Sequence, residues 1–162
     1  TLNYLTENNL LQYADLEKKV EDVHSSYDRT GKELKGVDAR LREVQPLIKN
    51  ISNYQRLKPV YDAFQKAKDK PSFKAKHEAE LVIFEAARST LLAMQGNEKL
   101  PSLKTLQAEQ QRLLEEQQRL YDERSKLKKE AKQIETIKSN VDTFLAPSAD
   151  HDRDHLRSTQ RE

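Results

Sequence analysis

Cysteine is absent from the 162 residues. That excludes a disulfide framework, a thiolate metal site and a cysteine nucleophile. Glycine and proline are scarce, at three and five residues, which argues against a turn-rich β sandwich or barrel. Long hydrophobic runs are missing too. No uninterrupted apolar run exceeds that of Leu81-Val82-Ile83-Phe84, far short of the ~20 residues a membrane-spanning helix needs. No signal peptide is visible, and the chain opens on Thr1, so a segment of a larger protein is expected. Core-forming residues are few: the hydrophobic share is 35%, and adding the glycines still leaves it well below the ~45–50% of globular proteins.

Charge and helix formers are abundant. Charged residues make up 35% of the chain, against about 25% usually. Ala, Glu, Lys, Leu and Arg together account for 79 residues. Such a bias, combined with helical periodicity, points to long helices or a coiled coil. The periodicity is present. Leu16, Val20, Val23, Tyr27, Thr30, Leu34, Val37, Leu41, Val44, Ile48 and Ile51 alternate at spacings of four and three. This keeps one seam facing a partner helix over about five heptads. Only Thr30 breaks its apolar or aromatic character. Gly31 and Gly36 weaken the helix by about 1 kcal/mol each relative to Ala. Pro46 and Pro59 predict bends, because each removes a backbone donor and crowds the preceding turn. Ahead of this helix, Leu2–Leu10 reads as a short separate helix ended by Asn8-Asn9.

A second seam follows Pro101-Ser102, with Ser102 as the expected N-cap. Leu106, Leu113, Leu120, Leu127, Ile134 and Val141 recur every seven residues. The alternate seam positions are mixed: Leu103, Gln110, Gln117, Arg124, Ala131, Lys138 and Leu145. Leu114, Tyr121 and Ile137 are expected to widen the stripe, and Pro147 to end the helix. Two helices of matching length, about 13–55 and 102–145, can pair antiparallel within the chain, with Ile51 near Leu106 and Leu16 near Val141. Pairing between two chains is the alternative. The tethered arrangement costs less entropy, so a monomeric hairpin is the expected form.

Residues 56–100 read as a compact helical knob at the hairpin tip. Val60, Tyr61, Phe64 and Ala67 lie at helical spacing, and Lys68-Asp69-Lys70-Pro71-Ser72 interrupts them. Ser72 is expected to cap a further helix with an apolar face of Phe73, Leu81, Phe84, Leu91 and Leu92. Ala86-Ala87 would allow close helix approach, and Gly96 would supply the stop. Residues 146–162 have almost no apolar content and are expected to be a disordered tail. The fold class is therefore all-α: a long antiparallel coiled-coil hairpin with a small helical knob at its tip.

The net charge of +2 is unevenly spread. Residues 49–77 carry Lys49, Arg56, Lys58, Lys66, Lys68, Lys70, Lys74 and Lys76 against Asp62 and Asp69, a local charge of +6. The segments on either side are each −2. Tyr54, Tyr61, Phe64 and Phe73 are interleaved with the basic run. Two readings follow. The tip is a nucleic-acid contact, with ammonium groups displacing counterions and aromatics stacking on bases. Or it is a solvated lysine face over aromatics that pack inward, as aromatics at helical spacing usually do.

The remaining site candidates are weak. His77-Glu78 resembles the start of a zinc-protease signature, but Leu81 stands where the second ligand would be. His151 and His155 lie four apart among Asp150, Asp152 and Asp154, in the expected tail. His24 neighbours the seam and suggests no function. Gly31-Lys32 lacks the rest of a phosphate loop, since Ser26 and Glu33 stand at its defining positions. No strand-turn-helix elbow presents a serine nucleophile. Paired carboxylates such as Glu115-Glu116 sit on an exposed helix. No catalytic residue, metal site or cofactor is expected.

The middle of the chain resembles a known family. The residues are Asn53-Tyr54, Val60-Tyr61-Asp62-Ala63-Phe64-Gln65-Lys66-Ala67 and Phe73-Lys74-Ala75-Lys76-His77-Glu78-Ala79-Glu80. Ala86-Ala87, Lys99-Leu100-Pro101-Ser102, Leu106, Glu109, Leu113-Leu114, Tyr121 and Lys138-Ser139-Asn140-Val141-Asp142 continue the pattern. In order and spacing they resemble the helical region beyond the nuclease domain of relaxases, the mobilisation nucleases of plasmids and integrative elements in Firmicutes. The chain departs from that pattern at Lys68-Asp69-Lys70-Pro71-Ser72, where the family usually reads Gly-Tyr-Ser, and at Pro46 and Pro59. The resemblance implies a non-catalytic C-terminal part of a bacterial, cytoplasmic enzyme that nicks DNA at a transfer origin. The family's His-hydrophobe-His metal motif is not in this chain, so none of its tyrosines takes the nucleophile role. Three functions are compatible. A DNA contact would use Lys58, Lys66, Lys68, Lys70, Lys74 and Lys76 with Tyr61 and Phe73. A docking arm would engage other transfer proteins. A dimerising spacer would bind nothing. No membrane partner is expected.

Overall fold

A computed structural model describes the backbone of residues 2–96 and 99–158 and the side chains of residues 12–96 and 99–144. The chain is all-α, with no strand among the described residues. The helices are α1 (Leu2–Lys66), α2 (Lys70–Lys76), α3 (Glu78–Gln95) and α4 (Leu103–Ser158). Contacts divide the chain into two units, residues 1–34 with 119–162, and residues 35–118. α1 and α4 pass through both.

In the first unit α1 and α4 are antiparallel. The Tyr13 hydroxyl donates to Asp142 Oδ1 at 2.7 Å, His24 Nε2 lies 2.7 Å from Glu135 Oε1, and the Arg124 guanidinium sits 4.1 Å from the Tyr27 ring centre. Partners descend along α4 as α1 ascends. Leu16 and Val141 border one groove, as the seam pairing requires. Val23, Leu34, Leu120 and Ile134 are buried. Thr30 is also buried, at 2% exposure, and its hydroxyl donates to the Ser26 carbonyl at 2.7 Å. The one polar residue of the α1 seam is therefore satisfied within its own helix.

The second unit repeats the antiparallel pairing and adds α2 and α3. Gln117 Nε2 donates to Asp38 Oδ1 at 2.6 Å. Val44, Ile51, Leu91 and Leu106 form a buried cluster, with Leu47, Ile48, Tyr54, Leu100, Leu103 and Leu113 packed against it. Ile51 thus meets Leu106 as the heptads require. α3 runs back along α1: Leu91 joins Ile51 in that cluster, while Phe84 stacks on Tyr54 and Tyr61 at 5.1 and 4.5 Å between ring centres. Its inner stripe is Leu81, Phe84, Ala87 and Leu91.

Several boundaries differ from the sequence expectation. α1 includes Leu2–Leu10 and continues past residue 55 to Lys66, through Pro46 and Pro59. An internal proline costs about 3 kcal/mol. Val44 and Ile51 are buried on either side of Pro46, and Leu57 is buried just before Pro59. The expected single helix from Ser72 is two, divided at His77. Asp69, not Ser72, caps the first of them: its carboxylate accepts from the Ser72 N–H at 3.1 Å. Pro71 occupies the first turn, where no donor is lost. Ser102 caps α4 as expected, accepting from the Thr105 N–H at 3.2 Å. Gly96 ends α3 with φ +51°, a conformation that side chains oppose.

Leu92 is 62% exposed, because it stands one residue, or 100° of helix, off the inner stripe. Leu114, Tyr121 and Ile137 are exposed rather than part of a widened seam. A single partner helix covers only the a and d positions. α4 is bounded at Ser158, past Pro147. Of the expected tail 146–162, the side chains and residues 159–162 lie outside the described residues.

One polar clamp joins α1 to α4 in the second unit. Arg40 Nε and Nη2 donate to Glu109 Oε1 and Oε2 at 2.6 and 3.1 Å, and Nη1 donates to Glu43 Oε2 at 3.0 Å. The Arg40 hydrogen bonds hold the Glu109 carboxyl below its ordinary value of 4.5. A lowered carboxylate pKa adds stability that is complete above the unfolded value and lost as pH falls through the folded one. Glu109→Gln should therefore unfold at lower temperature than the parent at neutral pH. The difference should shrink as pH falls below about 4.5, followed by circular dichroism across an acid series. Leu106→Ala should cost about 2–5 kcal/mol in urea unfolding, whereas Leu92→Ala should stay within about 0.5 kcal/mol.

Candidate nucleic-acid interface

The basic run of the sequence falls on the last turns of α1, the connector and α2. Both acids in this stretch are engaged locally. Asp62 pairs with Lys58 at 2.9 Å, four residues back on the same helix face. The Asp62 carboxylate holds the Lys58 ammonium above its ordinary value. Asp69 is engaged as the α2 cap. Lys66, Lys68, Lys74 and Lys76 are exposed and have no carboxylate partner among the described residues. Lys70 is exposed too, with its ammonium 6.0 Å from the Phe64 ring centre. Such a surface can neutralise phosphates without first breaking ion pairs.

The aromatics are arranged differently. Tyr61 is half-buried, stacked on Phe84, and its hydroxyl accepts from Arg88 Nη1 at 3.3 Å. Phe73 is half-buried between Phe64, at 6.1 Å, and His77, at 4.5 Å between ring centres. They belong to two separate sets of rings, Tyr54–Phe84–Tyr61 and Phe64–Phe73–His77. The first set fastens α3 to α1, and the second fastens α2 to α1. Sequence reasoning missed Arg88 and the central place of Phe84, which is 2% exposed. A lone cation in the apolar run of α3 was the available signal.

His77 is structural here. It is the last cap of α2 and the first of α3, its N–H is shared between the Phe73 and Lys74 carbonyls, and its carbonyl receives the Leu81 N–H. Its ring lies 3.4 Å from Glu80 Oε1. Among the described residues no three His, Cys, Asp or Glu side chains gather as a metal site would require. The side chains of His151 and His155 lie outside the described residues. No helix among the described residues is long and apolar enough to cross a membrane.

The orientation of α2 depends on its cap. Asp69→Ala should fray α2 at a cost of about 1 kcal/mol, seen as faster hydrogen exchange at Ser72 and Phe73. Asp69→Asn keeps a capping oxygen and should retain that protection. Comparison with protein-family models, curated proteins and solved structures gives no significant match in any of the three.

Proposed function

We propose that the chain is a non-catalytic accessory module of a mobilisation relaxase, and that its basic helical surface contacts DNA near the transfer origin. The ordered resemblance across residues 3–145 supports the family. The observation that carries the DNA reading is the set of lysines on α1, the connector and α2 with no carboxylate partner among the described residues. In this reading Lys66, Lys68, Lys70, Lys74 and Lys76 bind phosphates, and Lys58 joins them by leaving Asp62. Tyr61 and Phe73 serve the surface by fixing the helices that carry it. The binding is electrostatic and reads little sequence, as expected of phosphate contacts. The module works in the bacterial cytoplasm without a cofactor.

A second reading, a docking arm for other transfer proteins, is favoured by the exposed Val82, Ile83, Leu92 and Met94 of α3.

Binding of the 162-residue chain to single- and double-stranded DNA at several salt concentrations separates them. Micromolar, salt-sensitive binding is expected. Charge reversal in Lys66→Glu, Lys70→Glu and Lys74→Glu together should weaken it roughly tenfold or more and lower the salt slope by about three. Helicity should be unchanged. Equal affinity of parent and triple variant would remove the lysine surface from the reading.

A further inference from the structure

The aliphatic seam of the first unit does not by itself define which level of α1 meets which level of α4. Val20, Val23 and Leu34 are seam positions of α1, and Leu120, Leu127, Ala131 and Ile134 of α4, all of them aliphatic; the buried Thr30 is the exception, with its hydroxyl satisfied within its own helix. Slipping one helix past the other by a heptad would put aliphatic residues against aliphatic residues again. Within the first unit, directional contacts must single out the register, as the Arg40–Glu109 clamp and the Asp38–Gln117 hydrogen bond help to do in the second.

Two polar rungs do so. The α1 seam holds tyrosine at Tyr13 and Tyr27, fourteen residues apart. In the first unit the α4 seam holds cations at Arg124 and Lys138, again fourteen apart. Each cation lies over a tyrosine: Arg124 over Tyr27 at 4.1 Å and Lys138 over Tyr13 at 5.8 Å from the ring centres. Both distances are within the ~6 Å range of a cation–π contact. Midway between the rungs stand Val20 and Ala131, an aliphatic level. A slip of one heptad would set Arg124 against Val20 or Leu34, and in the second direction Lys138 against Val20.

Each rung has a further specific feature. At the first, Gly31 leaves room for the guanidinium, since a Cβ there would lie 3.3 Å from Arg124 Nη1. Arg124 has no carboxylate partner among the described residues. The tyrosine face and the glycine gap are what receive it. At the second, Asp142 ties both members together: it accepts from the Tyr13 hydroxyl at 2.7 Å and lies 3.6 Å from Lys138 Nζ.

We propose that the Tyr27–Arg124 and Tyr13–Lys138 rungs are a register lock, which selects one alignment of α1 and α4 from those the aliphatic seam would accept. The lock explains why a coiled coil with few core residues gives two seam positions on α4 to cations. It acts as a single buried polar residue does in other coiled coils, by penalising the wrong pairing rather than strengthening the right one.

The test places spin labels at Lys19→Cys and Lys132→Cys, both exposed positions in a chain without native cysteine. Distances are then measured by pulsed electron resonance. The parent should give one distance. Arg124→Leu with Lys138→Leu should keep its helicity and melt no earlier, yet show a second population with an axial shift of about 10 Å, one heptad of helix. Exchanging the partners, with Tyr27→Arg, Arg124→Tyr, Tyr13→Lys and Lys138→Tyr, should restore a single distance. A single unchanged distance in the double leucine variant would overturn the proposal. So would loss of helicity in that variant, which would make the rungs a source of stability rather than of register. So would failure of the exchanged variant to restore one distance.

Discussion

The apolar stripe of α1 has to be covered, because most of a helix's stability in a protein comes from packing its apolar face. In this chain the cover is the stripe of α4, and the rest of the structure depends on that mutual burial. Each stripe is narrow, because a two-helix pair covers only the a and d positions. That explains how so charged a chain folds at all. It also explains why Leu114, Tyr121 and Ile137 stay exposed one step outside the seam. The second unit escapes this economy locally. There α3 adds a third helix, and Leu91 with Phe84 turns the α1 stripe into a small true core.

The coil and its register were legible because they rest on spacing, which sequence carries directly. Ile51 at Leu106 and Leu16 at Val141 followed from matching two runs of heptads end to end. The knob was less legible because its boundaries are set by single contacts. The division at His77 has no glycine or proline to mark it; the ring stacking on Phe73 and the shared N–H are tertiary and capping details. The cap of α2 was readable in principle. Pro71 favours the first turn of a helix, so the cap had to precede it, and Asp69 is the residue with a suitable side chain. Pro59 shows the opposite failure. The helix was expected to end near residue 55, and it runs on through Pro59 to Lys66, with Leu57 buried just before the proline.

The candidate interface divides along the same line. Its charge was visible in composition, since lysines at the surface need no partner to be where they are. The role of its aromatics was not. Tyr61 and Phe73 sit at helical spacing among lysines, a pattern equally compatible with exposed stacking surfaces and with inward packing. The structure packs each of them against other rings, Tyr61 on Phe84 and Phe73 on Phe64. The ammonium groups of this surface are carried on helices that packed rings hold together one layer down.

Two helices joined mainly by aliphatic levels face a problem that burial cannot solve. Free energy from apolar contact is nearly non-directional, so it favours many alignments almost equally. Directional contacts have to choose among them. The Arg40–Glu109 clamp, the Asp38–Gln117 hydrogen bond and the tyrosine rungs all join α1 to α4 through directional polar contacts. They lie at the edges of the seam or in its polar half. The polar half of the α4 seam, which costs buried apolar area, is thus what makes the pairing of α1 and α4 specific.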